Sequence, residues 1–411
     1  MNTRPLRDVR ILDLTDYFAG PFGTMILSGL GSEVIQVERR EIGNTMRNNP
    51  PLIGTHGLCM KKKSAEDMSL ISLKRGRNKK SITLDIRTPK GKALFLDLVK
   101  ISDVVIENFS YGVMDRLNLS YEDLIKVNES IIYCSISGFG RKGPNKKRVA
   151  YDIVAQAMSG FMEVTGFPDS PPLKAGIMIG DAIPGLFSVI GIISAIYQKN
   201  QTGQGQKIDI SMQDCLLSLV YDEGFDALKQ LGIPARVGNR NQRLAPYNSF
   251  EAKDGYFVLG AVSNEQFENL LRTIERDELI SDPHYDSVYK RAERVDEIDE
   301  LISQWARTKT KLDAVEALLN NHVPAGPVLA IDELIEDPHL SAHKMVVDLV
   351  HPTLGVLEGV NGPGFPIKFS GCPDDYDQAA PMLGQNNQEV YGKLLGLNEE
   401  TLYKLKEDKI I

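Results

Sequence analysis

The sequence predicts an α/β protein with a doubly wound parallel sheet and a second, smaller domain. Between residues 9 and 137, short β-branched runs alternate with helical patterns. Strands that are separated by helices pair in parallel through right-handed crossovers. The chain has 411 residues, which is too long for one ordinary hydrophobic core. We therefore expect two domains, with the parallel sheet in the larger one.

Five runs rich in Val, Ile and Thr are predicted strands, namely 9–14, 32–38, 81–86, 103–108 and 131–137. Four segments between or after them are predicted helices, namely 21–30, 88–100, 181–198 and 212–231. Thr88 and Pro89 support the second helix, because they suit an N-cap and a first helical position.

The pattern changes after about residue 235. A polar loop region, 238–255, precedes a predicted strand at 256–262. Helices are then predicted at 264–275, 293–306 and 310–320, a strand at 326–331, and helices at 388–396 and 399–408 after a loop-rich tail at 351–371.

These elements predict a large, discontinuous, Rossmann-like domain and a smaller α/β domain. Residues 1–205 form the first part of the large domain, 206–234 a linker helix and 235–325 the small domain. Residues 326–411 are predicted to be a linker and a C-terminal return to the large domain.

Composition restricts the class of protein. The net charge of −8 comes from interspersed acids and bases, so nucleic acid is not an expected partner. Four cysteines are widely spaced, and the N-terminus lacks the apolar core of a signal peptide. This pattern favours a reducing, cytoplasmic location.

The apolar stretch 175–196 contains a single charge, the carboxylate of Asp181. It is long enough to cross a bilayer. Its glycines, Pro184 and the carboxylate instead favour a buried helix after a turn, so we expect no membrane span.

Two motifs suggest other chemistry. Gly138, Gly140 and Gly143 follow a strand in the dinucleotide-binding pattern of a nicotinamide dehydrogenase, but the basic loop after them does not predict a helix. A glycine turn is the preferred interpretation. His339 and His343 lie four residues apart, yet no third ligand has the spacing of a zinc site, and we expect no metal.

Asp181 has two compatible interpretations. Aspartate is a favoured N-cap and Pro184 suits a first turn, so the side chain could accept a backbone N–H for about 1 kcal/mol. The helix N-terminus would also keep the carboxylate ionised. An ionised carboxylate can attack a thioester and expel a thiolate. The stretch alone favours capping.

Several passages together resemble the class III CoA-transferases, which include formyl-CoA transferase and carnitine CoA-transferase. These passages are 11–44, 78–117, 137–144, 151–166, 180–214 and 320–340. The resemblance implies that Asp181 is the covalent nucleophile, which forms an anhydride with the donor acyl group and then an aspartyl-CoA thioester. It also implies an acyl-CoA donor and a carboxylate acceptor as substrates, with no permanently bound cofactor.

The same resemblance assigns CoA contacts along the large domain. Arg39 and Arg116 resemble the guanidinium groups that hold the CoA phosphates, a role that suits the planar fork of arginine. The complete set of implied CoA-binding residues is Phe18, Ala19, Arg39, Leu84, Asp85, Ile86, Arg87, Asn108, Phe109, Ser110, Arg116, Val149, Ala150, Tyr151 and Asp152.

Two departures from the formyl-CoA enzyme bear on the substrate. Phe18 stands where that enzyme has a glutamine beside the thioester, and no glycine-run loop lies between Gly238 and Gly255. Both make formate and oxalate doubtful and favour a bulkier, less polar acyl group. The family's subunits are interlocked rings, so the resemblance implies a homodimer and leaves open a paralogous partner subunit.

Two alternatives within the same fold stay open. The α-methylacyl-CoA racemase branch needs two proton-transfer groups and places a histidine before the aspartate of its equivalent motif. Here Tyr151 precedes Asp152, and no histidine lies between His56 and His284. The other alternative is a CoA-binding subunit without turnover of its own, which the presence of Asp181 disfavours.

Overall fold

A computed structural model describes residues 4–372 and 378–411 of the chain. These residues divide into two compact units. The large unit comprises the described residues up to Ser159, Gly176–Leu219 and those of Pro338–Ile411. The small unit comprises Gly160–Ala175 and Val220–Asp337. Each unit is therefore built from separate stretches of sequence.

The strands, in chain order, are β1 Arg10–Asp13, β2 Glu33–Glu38, β3 Leu52–Gly54, β4 Gly57–Cys59, β5 Met68–Ser69, β6 Lys79–Thr83, β7 Val104–Glu107, β8 Ile132–Ser137, β9 Lys207–Ser211, β10 Tyr247–Ala252, β11 Gly255–Gly260, β12 Ala325–Pro327, β13 Val346–His351 and β14 Gly355–Pro363.

The α-helices are α1 Ala19–Gly29, α2 Leu70–Arg75, α3 Pro89–Lys100, α4 Val113–Leu117, α5 Tyr121–Leu124, α6 Asp152–Met158, α7 Ile179–Thr202, α8 Met212–Val220, α9 Phe225–Gln230, α10 Asn264–Thr273, α11 Val288–Glu293, α12 Val295–Ala306, α13 Lys311–Asn320, α14 Ile331–Glu336, α15 Pro338–Ala342 and α16 Glu399–Glu407. Short 3₁₀ helices span Thr45–Asn48 and Asp277–Leu279, and a π-helix spans Gln388–Leu394.

The centre of the large unit is a six-stranded parallel sheet with the order β6-β2-β1-β7-β8-β9. The prediction of an α/β fold with a parallel sheet is confirmed. In sequence rank this order is 3-2-1-4-5-6, the arrangement of doubly wound dinucleotide-type folds. The strands stay parallel, but successive strands are added on one side of β1 up to β6 and on its other side from β7 onward, so the order reverses between β1 and β7. Ligands of such sheets bind at this switch point, beyond the carboxyl ends of the strands.

The core of the large unit forms where helix faces cover the sheet. Phe95, Leu98 and Val99 of α3 are fully buried and belong to the same cluster as Leu12, Val105 and other strand residues. Thr88 caps α3 by accepting a hydrogen bond from Gly91 N–H at 3.0 Å, and Pro89 begins the helix, as predicted.

Helices α1 and α7 are in backbone contact. A Cβ atom on Gly23 would lie 2.9 Å from the Gly185 carbonyl oxygen, and one on Gly185 would lie 2.7 Å from the Ala19 carbonyl oxygen. Residues larger than glycine would push the helices apart. The two glycines therefore fix the first turn of α1 against the first turns of α7.

A buried ion pair joins α1 to the sheet. Lys79 of β6 lies 3.2 Å from Asp13 of β1, and both side chains are fully buried. Thr24 of α1 donates to Asp13 at 2.6 Å and accepts from Lys79 at 2.7 Å. Each buried charge thus has a partner of opposite sign and a hydroxyl from the helix.

The small unit contains the antiparallel sheet β10-β11-β12. Phe250 and Phe257 from this sheet pack with Ile302 of α12 and Leu318 of α13 in one buried cluster. Two further antiparallel sheets, β4-β3-β5 and β13-β14, lie in the large unit.

Several sequence predictions differ from the observed elements. The predicted linker helix 206–234 contains strand β9, Lys207–Ser211, near its start. The helix predicted over 212–231 is two helices, α8 and α9, with a break at residues 221–224. The segment 351–371, predicted as loop-rich, contains β14, which pairs with β13. The strand predicted at 326–331 is confined to Ala325–Pro327, and α14 begins at Ile331.

Candidate active site

A cavity of about 300 Å³ lies at the switch point of the parallel sheet. Its walls are the segments that follow β1, β2 and β7. They include four of the residues with an implied CoA contact, namely Arg39, Asn108, Phe109 and Ser110. Adjacent parallel strands end at one edge of the sheet, which is why residues so far apart in sequence meet here.

Polar side chains in this cavity already bond to one another. Asn108 accepts from Asp16 N–H at 2.8 Å and donates to the Asp16 carbonyl at 2.7 Å. Arg39 donates to the Asp16 carboxylate at 3.0 Å and to Thr45 at 3.1 Å, and its side chain is 56% exposed. Asn108 therefore fixes the turn after β1, while the exposed part of Arg39 faces solvent.

Asp181 lies in the first turn of α7, but it is not the N-cap. The helix begins at Ile179, Met178 is the N-cap residue, and Pro184 lies inside the helix. The capping interpretation of Asp181 is therefore wrong. Helix α7 starts earlier than predicted because Asp152 binds the first turn from outside, which leaves the Asp181 side chain free of a capping hydrogen bond.

Asp152 holds the start of α7. Its Oδ1 accepts from Gly180 N–H at 2.7 Å, and its Oδ2 accepts from Gln156 Nε2 at 2.7 Å. The Asp152 side chain is buried, and a Cβ on Gly180 would lie 2.7 Å from the Asp152 carbonyl oxygen. Asp152 thus satisfies an unpaired helix N–H and fixes the position of the residue before Asp181.

The electrostatic environment of Asp181 differs from the expectation of a fully ionised group. Burial, together with the negative charge of Asp152, raises the pKa of Asp181 to about 7, against the opposing effect of Arg75. A carboxyl group with this pKa is partly protonated near neutral pH. Perturbed pKa values of this kind are typical of functional sites.

Arg75 is a neighbour of Asp181 that the sequence did not reveal. It ends α2, and its guanidinium carbon lies 3.6 Å from the ring centroid of Phe18. Its Nη1 donates to the Tyr17 carbonyl at 3.3 Å. Burial lowers the pKa of Arg75 to about 10, so the group stays cationic at neutral pH.

Tyr17 connects this site with the start of α6. Its ring and that of Tyr151 meet edge to face, with centroids 5.8 Å apart. Tyr17 has a φ of 64°, a left-handed conformation that is uncommon for a tyrosine. Since such strain often marks functional segments, the turn 15–18 is a further candidate part of the site.

The remaining implied CoA contacts lie in three further segments of the large unit. Residues Leu84–Arg87 follow β6, where Asp85 and Arg87 form an ion pair at 2.8 Å. Arg116 of α4 is exposed and does not line the cavity at the switch point. Val149 is 65% exposed, and Ala150 packs so closely on Gly138 that a Cβ on the glycine would collide with it.

The glycine pattern after β8 does not form a dinucleotide-binding turn. Residues 141–147 form bends and turns, and the next helix begins at Asp152. Gly138, Gly140 and Gly143 therefore belong to a loop, and Arg141 of that loop pairs with Glu107 at 2.6 Å. The nicotinamide alternative loses its structural support, because the phosphate group of such ligands binds at a helix N-terminus.

No group of three metal-ligating side chains occurs within residues 4–372 and 378–411. The His339 and His343 rings lie 4.4 Å apart, while His351 is buried and its Nε2 lies 3.1 Å from the Glu66 carbonyl oxygen. The three histidines thus do not converge.

Helix α7 is long and apolar enough to span a membrane, with a mean hydropathy of 1.9 over its most apolar part. Core helices of soluble proteins reach the same length and hydropathy. Within the chain, α7 packs against α1, α6, β8 and β9.

The profile of CoA-transferase family III matches residues 6–387. The chain belongs to this family. A succinyl-CoA–D-citramalate CoA-transferase of Chloroflexus aurantiacus is 35% identical over 410 residues, which cover 99% of this chain and 98% of the relative. A formyl-CoA:oxalate CoA-transferase of Streptomyces avermitilis is 34% identical over 425 residues and 100% of both chains.

A solved structure has the same fold. A CaiB/BaiF family protein from Brucella suis superposes with a TM-score of 0.82 and 33% identity, covering 96% of this chain and 100% of that one. The resemblance inferred from the sequence is confirmed, and the protein is an enzyme of CoA-transferase family III.

Proposed function

We propose that the protein transfers CoA from an acyl-CoA donor to a free carboxylic acid, with Asp181 as the covalent nucleophile. The observation that carries this proposal is the Asp181 carboxylate itself, which is partly buried, has no capping role and has a pKa of about 7. The names of the relatives pair CoA with different acids, so they support this reaction class without selecting a substrate.

The first half of the proposed cycle loads CoA onto the enzyme. The ionised Asp181 attacks the thioester carbonyl carbon and the C–S bond breaks, which releases CoA as a thiolate and leaves a mixed anhydride between Asp181 and the donor acyl group. The thiolate then attacks the Asp181 carbonyl carbon and displaces the donor acid as a carboxylate. An aspartyl-CoA thioester remains.

The second half repeats these steps with the acceptor. Its carboxylate attacks the aspartyl-CoA thioester and releases the thiolate, which attacks the acceptor carbonyl of the new anhydride. The new acyl-CoA leaves and Asp181 is regenerated. Every step moves electron pairs among oxygen, carbon and sulfur, so the proposed cycle needs no permanently bound cofactor.

The CoA-binding assignment is part of the same proposal. The cavity at the switch point would receive the adenosine part against Asn108–Ser110, with Arg39 at a phosphate, while Phe18, Tyr151 and Asp152 lie toward the thioester. Arg116 would reach a phosphate only from the exposed surface of α4. Each charge-assisted contact would contribute about 1.5–3 kcal/mol.

The geometry favours transfer over racemisation. A racemase needs two groups that exchange a proton with the α-carbon. Both oxygens of Asp152 already accept hydrogen bonds, and Tyr151 beside it is a phenol. Incubation with a 2-methylacyl-CoA in deuterated water should leave the α-carbon unlabelled, whereas rapid deuterium incorporation without an acceptor would contradict the proposal.

We also propose that two copies of the chain assemble. The outward face of α7 carries an apolar stripe of Leu186, Ile190, Ile193 and Tyr197, which are 37–68% exposed in the single chain. An exposed apolar surface of this kind is typical of a protein interface. A homodimer is the proposed occupant, and a paralogous subunit could use the same face.

The central experiment traps the covalent intermediate. Hydroxylamine added during turnover should convert Asp181 to a hydroxamate, which peptide mass spectrometry would locate. Asp181→Asn should lower the rate of CoA transfer by several orders of magnitude and prevent hydroxamate formation, while CoA binding persists. Asp214→Asn is the matched control, because Asp214 is also in the first turn of a helix and is exposed. Trapping at another residue, or an active Asp181→Asn enzyme, would contradict the mechanism.

A further inference from the structure

Gln156 supports the hydrogen bond that fixes the start of α7. It belongs to α6, its side chain is fully buried, and its Nε2 donates to Asp152 Oδ2 at 2.7 Å. The other carboxylate oxygen of Asp152 accepts from Gly180 N–H at 2.7 Å. A chain of two hydrogen bonds therefore runs from Gln156 through Asp152 to the backbone of the residue before Asp181.

Asp152 depends on these two neutral donors. Its side chain is buried, and it forms no ion pair within residues 4–372 and 378–411, the part of the chain that the structure describes. A buried carboxylate oxygen without a donor is unfavourable. Without the Gln156 amide, Asp152 would turn toward another donor or take up a proton, and either change would disturb its bond to Gly180 N–H.

The first turn of α7 depends on this bond in turn. The N–H groups at a helix start have no partner within the helix, and the N-cap residue Met178 supplies no side-chain hydrogen bond. A Cβ atom on Gly180 would lie 2.7 Å from the Asp152 carbonyl oxygen, so α6 and α7 also meet backbone to backbone here. A shift of Asp152 would therefore displace the turn that carries Asp181.

We propose that Gln156 is a positioning residue of the active site, which acts through Asp152 on the first turn of α7. This inference rests on the proposed function, because it takes Asp181 as the group that must reach the thioester carbon. Gln156 itself does not touch the substrate. Its amide holds the Asp152 carboxylate in place, and the carboxylate holds the helix start at the position from which Asp181 attacks.

The first test removes the amide and keeps the length of the side chain. Gln156→Met should lower kcat about 10- to 100-fold, because displacing a reacting group by about 1 Å has an effect of this size. The dissociation constant of CoA should change less than about threefold, since Gln156 is outside the residues with an implied CoA contact. Steady-state kinetics and calorimetric titration with CoA measure the two effects.

Gln213→Met is the matched control. Gln213 of α8 also donates to α6 through its Nε2 at 2.7 Å, but its acceptor is the Met158 carbonyl at the far end of that helix. This variant loses a glutamine hydrogen bond that does not reach Asp152, so its kcat should stay within about threefold of the wild-type value. An equal loss of kcat in both variants would leave Gln156 a merely structural role and overturn the proposal.

Gln156→Glu should give a distinct pH–rate profile. While the introduced carboxyl group carries a proton, it can still donate to Asp152 Oδ2, and the variant should be active. Two buried carboxylates that face each other resist ionising together, so this proton should be lost only between about pH 7 and 9. Its loss breaks the bond, and kcat should then fall. The variant is expected to gain this descending limb, whereas wild type and Gln213→Met are not.

Other titratable groups beside this chain of hydrogen bonds do not account for such a limb. The charged groups that act on Asp181 are Asp152 and Arg75. The phenols of Tyr151 and Tyr17 meet edge to face next to Asp152. All of these groups are retained in every enzyme compared, so any limb that they cause is common to all.

The outcomes separate this inference from the proposed function. An undiminished kcat in Gln156→Met, or a Gln156→Glu profile that matches the wild type, would overturn the positioning role while the transferase stands. If the melting temperature shows that Gln156→Met does not fold, the Gln156→Glu profile decides alone. A wild-type enzyme that transfers no CoA and forms no hydroxamate at Asp181 would instead overturn the proposed function and this inference with it.

Discussion

Asp181 has two properties that oppose each other. In the proposed mechanism it must be ionised to attack a carbonyl carbon, yet burial and the charge of Asp152 disfavour its ionisation and raise its pKa to about 7. A carboxylate that is costly to keep charged is a stronger nucleophile than one that water or a cap stabilises. Arg75 opposes this shift and limits its size.

The raised pKa predicts the pH dependence of the reaction. In the proposed mechanism the deprotonated form of Asp181 is the nucleophile, so kcat/KM should reach a plateau above about pH 7 and fall about tenfold per pH unit below it. Steady-state rates across the pH range, with donor and acceptor far below saturation, measure this limb. A rate that stays constant down to pH 5 would contradict the assignment of the pKa to Asp181.

Substitution of the two charged neighbours of Asp181 should shift the acidic limb of the pH–rate profile in opposite directions. Asp152→Asn removes a negative neighbour, so the pKa of Asp181 falls and the limb moves to lower pH. Arg75→Met removes a positive neighbour, so the pKa rises and the limb moves to higher pH. Asparagine can still accept from Gly180 N–H, which separates the charge effect from loss of the hydrogen bond. A shift of the same sign in both variants would contradict this electrostatic account.

Single residues of the site differ in how far the sequence reveals them. Asp181 stands out as the one charge in an apolar stretch, although its cap geometry was wrongly predicted because the stabilising bond comes from Asp152, a distant residue. Arg75 was missed because it lies among several cations in residues 74–80. Only its contact with Phe18, far away in sequence, distinguishes it from the others.

Helices α1 and α7 determine the site together, since one carries Ala19 after Phe18 and the other carries Asp181. The close contact at Gly23 and Gly185 sets the distance between them. Asp152 fixes the start of α7 from a third helix. The proposed nucleophile, Asp181, is therefore positioned before any substrate binds, as preorganised catalysis requires.

Gly185→Ala should disturb this arrangement. The new Cβ would lie 2.7 Å from the Ala19 carbonyl oxygen, so the helices must separate, at an expected cost of about 1–3 kcal/mol in the free energy of unfolding. Transfer activity should fall by more than the folded fraction does. Urea unfolding and kcat measure the two effects.

Gly191→Ala is the matched control on the same helix. Its Cβ would meet only the Ile208 side chain, at 3.2 Å, and alanine favours the helix by about 1 kcal/mol over glycine. This variant should be at least as stable as the wild type. Equal unfolding free energies and equal kcat values for Gly185→Ala and Gly191→Ala would show that the contact of Gly185 with α1 contributes neither to stability nor to activity.

Strands with β-branched runs were predicted well, because their pattern is local. Strand β9, Lys207–Ser211, was missed because it is short and lies within the segment 206–234, which was predicted as a linker helix. The hairpin β13-β14 was missed because glycines at 355, 359 and 362 suggest a loop, whereas the pairing depends on residues across the turn. Long-range partners decide such segments, and a single sequence does not display them.

In the single chain, helix α7 exposes more apolar surface than a core helix usually does. In the proposed dimer this stripe would be covered, so a charge within it should weaken assembly. Ile190→Glu is expected to shift the protein toward monomer in analytical ultracentrifugation, since burying an unpaired carboxylate is unfavourable. Asn200→Glu places the same charge on an exposed residue of the same helix and should leave assembly unchanged. A wild-type protein that is monomeric at all concentrations would contradict the dimer.

The buried pair of Asp13 and Lys79 restricts how this sequence can diverge. Loss of either partner would leave an uncompensated charge in the core at a cost of about 3–5 kcal/mol, whereas replacement of both by apolar side chains of similar volume is close to neutral. Descendants of this chain are therefore expected to keep both residues or to exchange both, and rarely to pass through the single mutants. Thr24 is expected to change only together with this pair, because its hydroxyl bonds to both charged groups and would lose both partners at once.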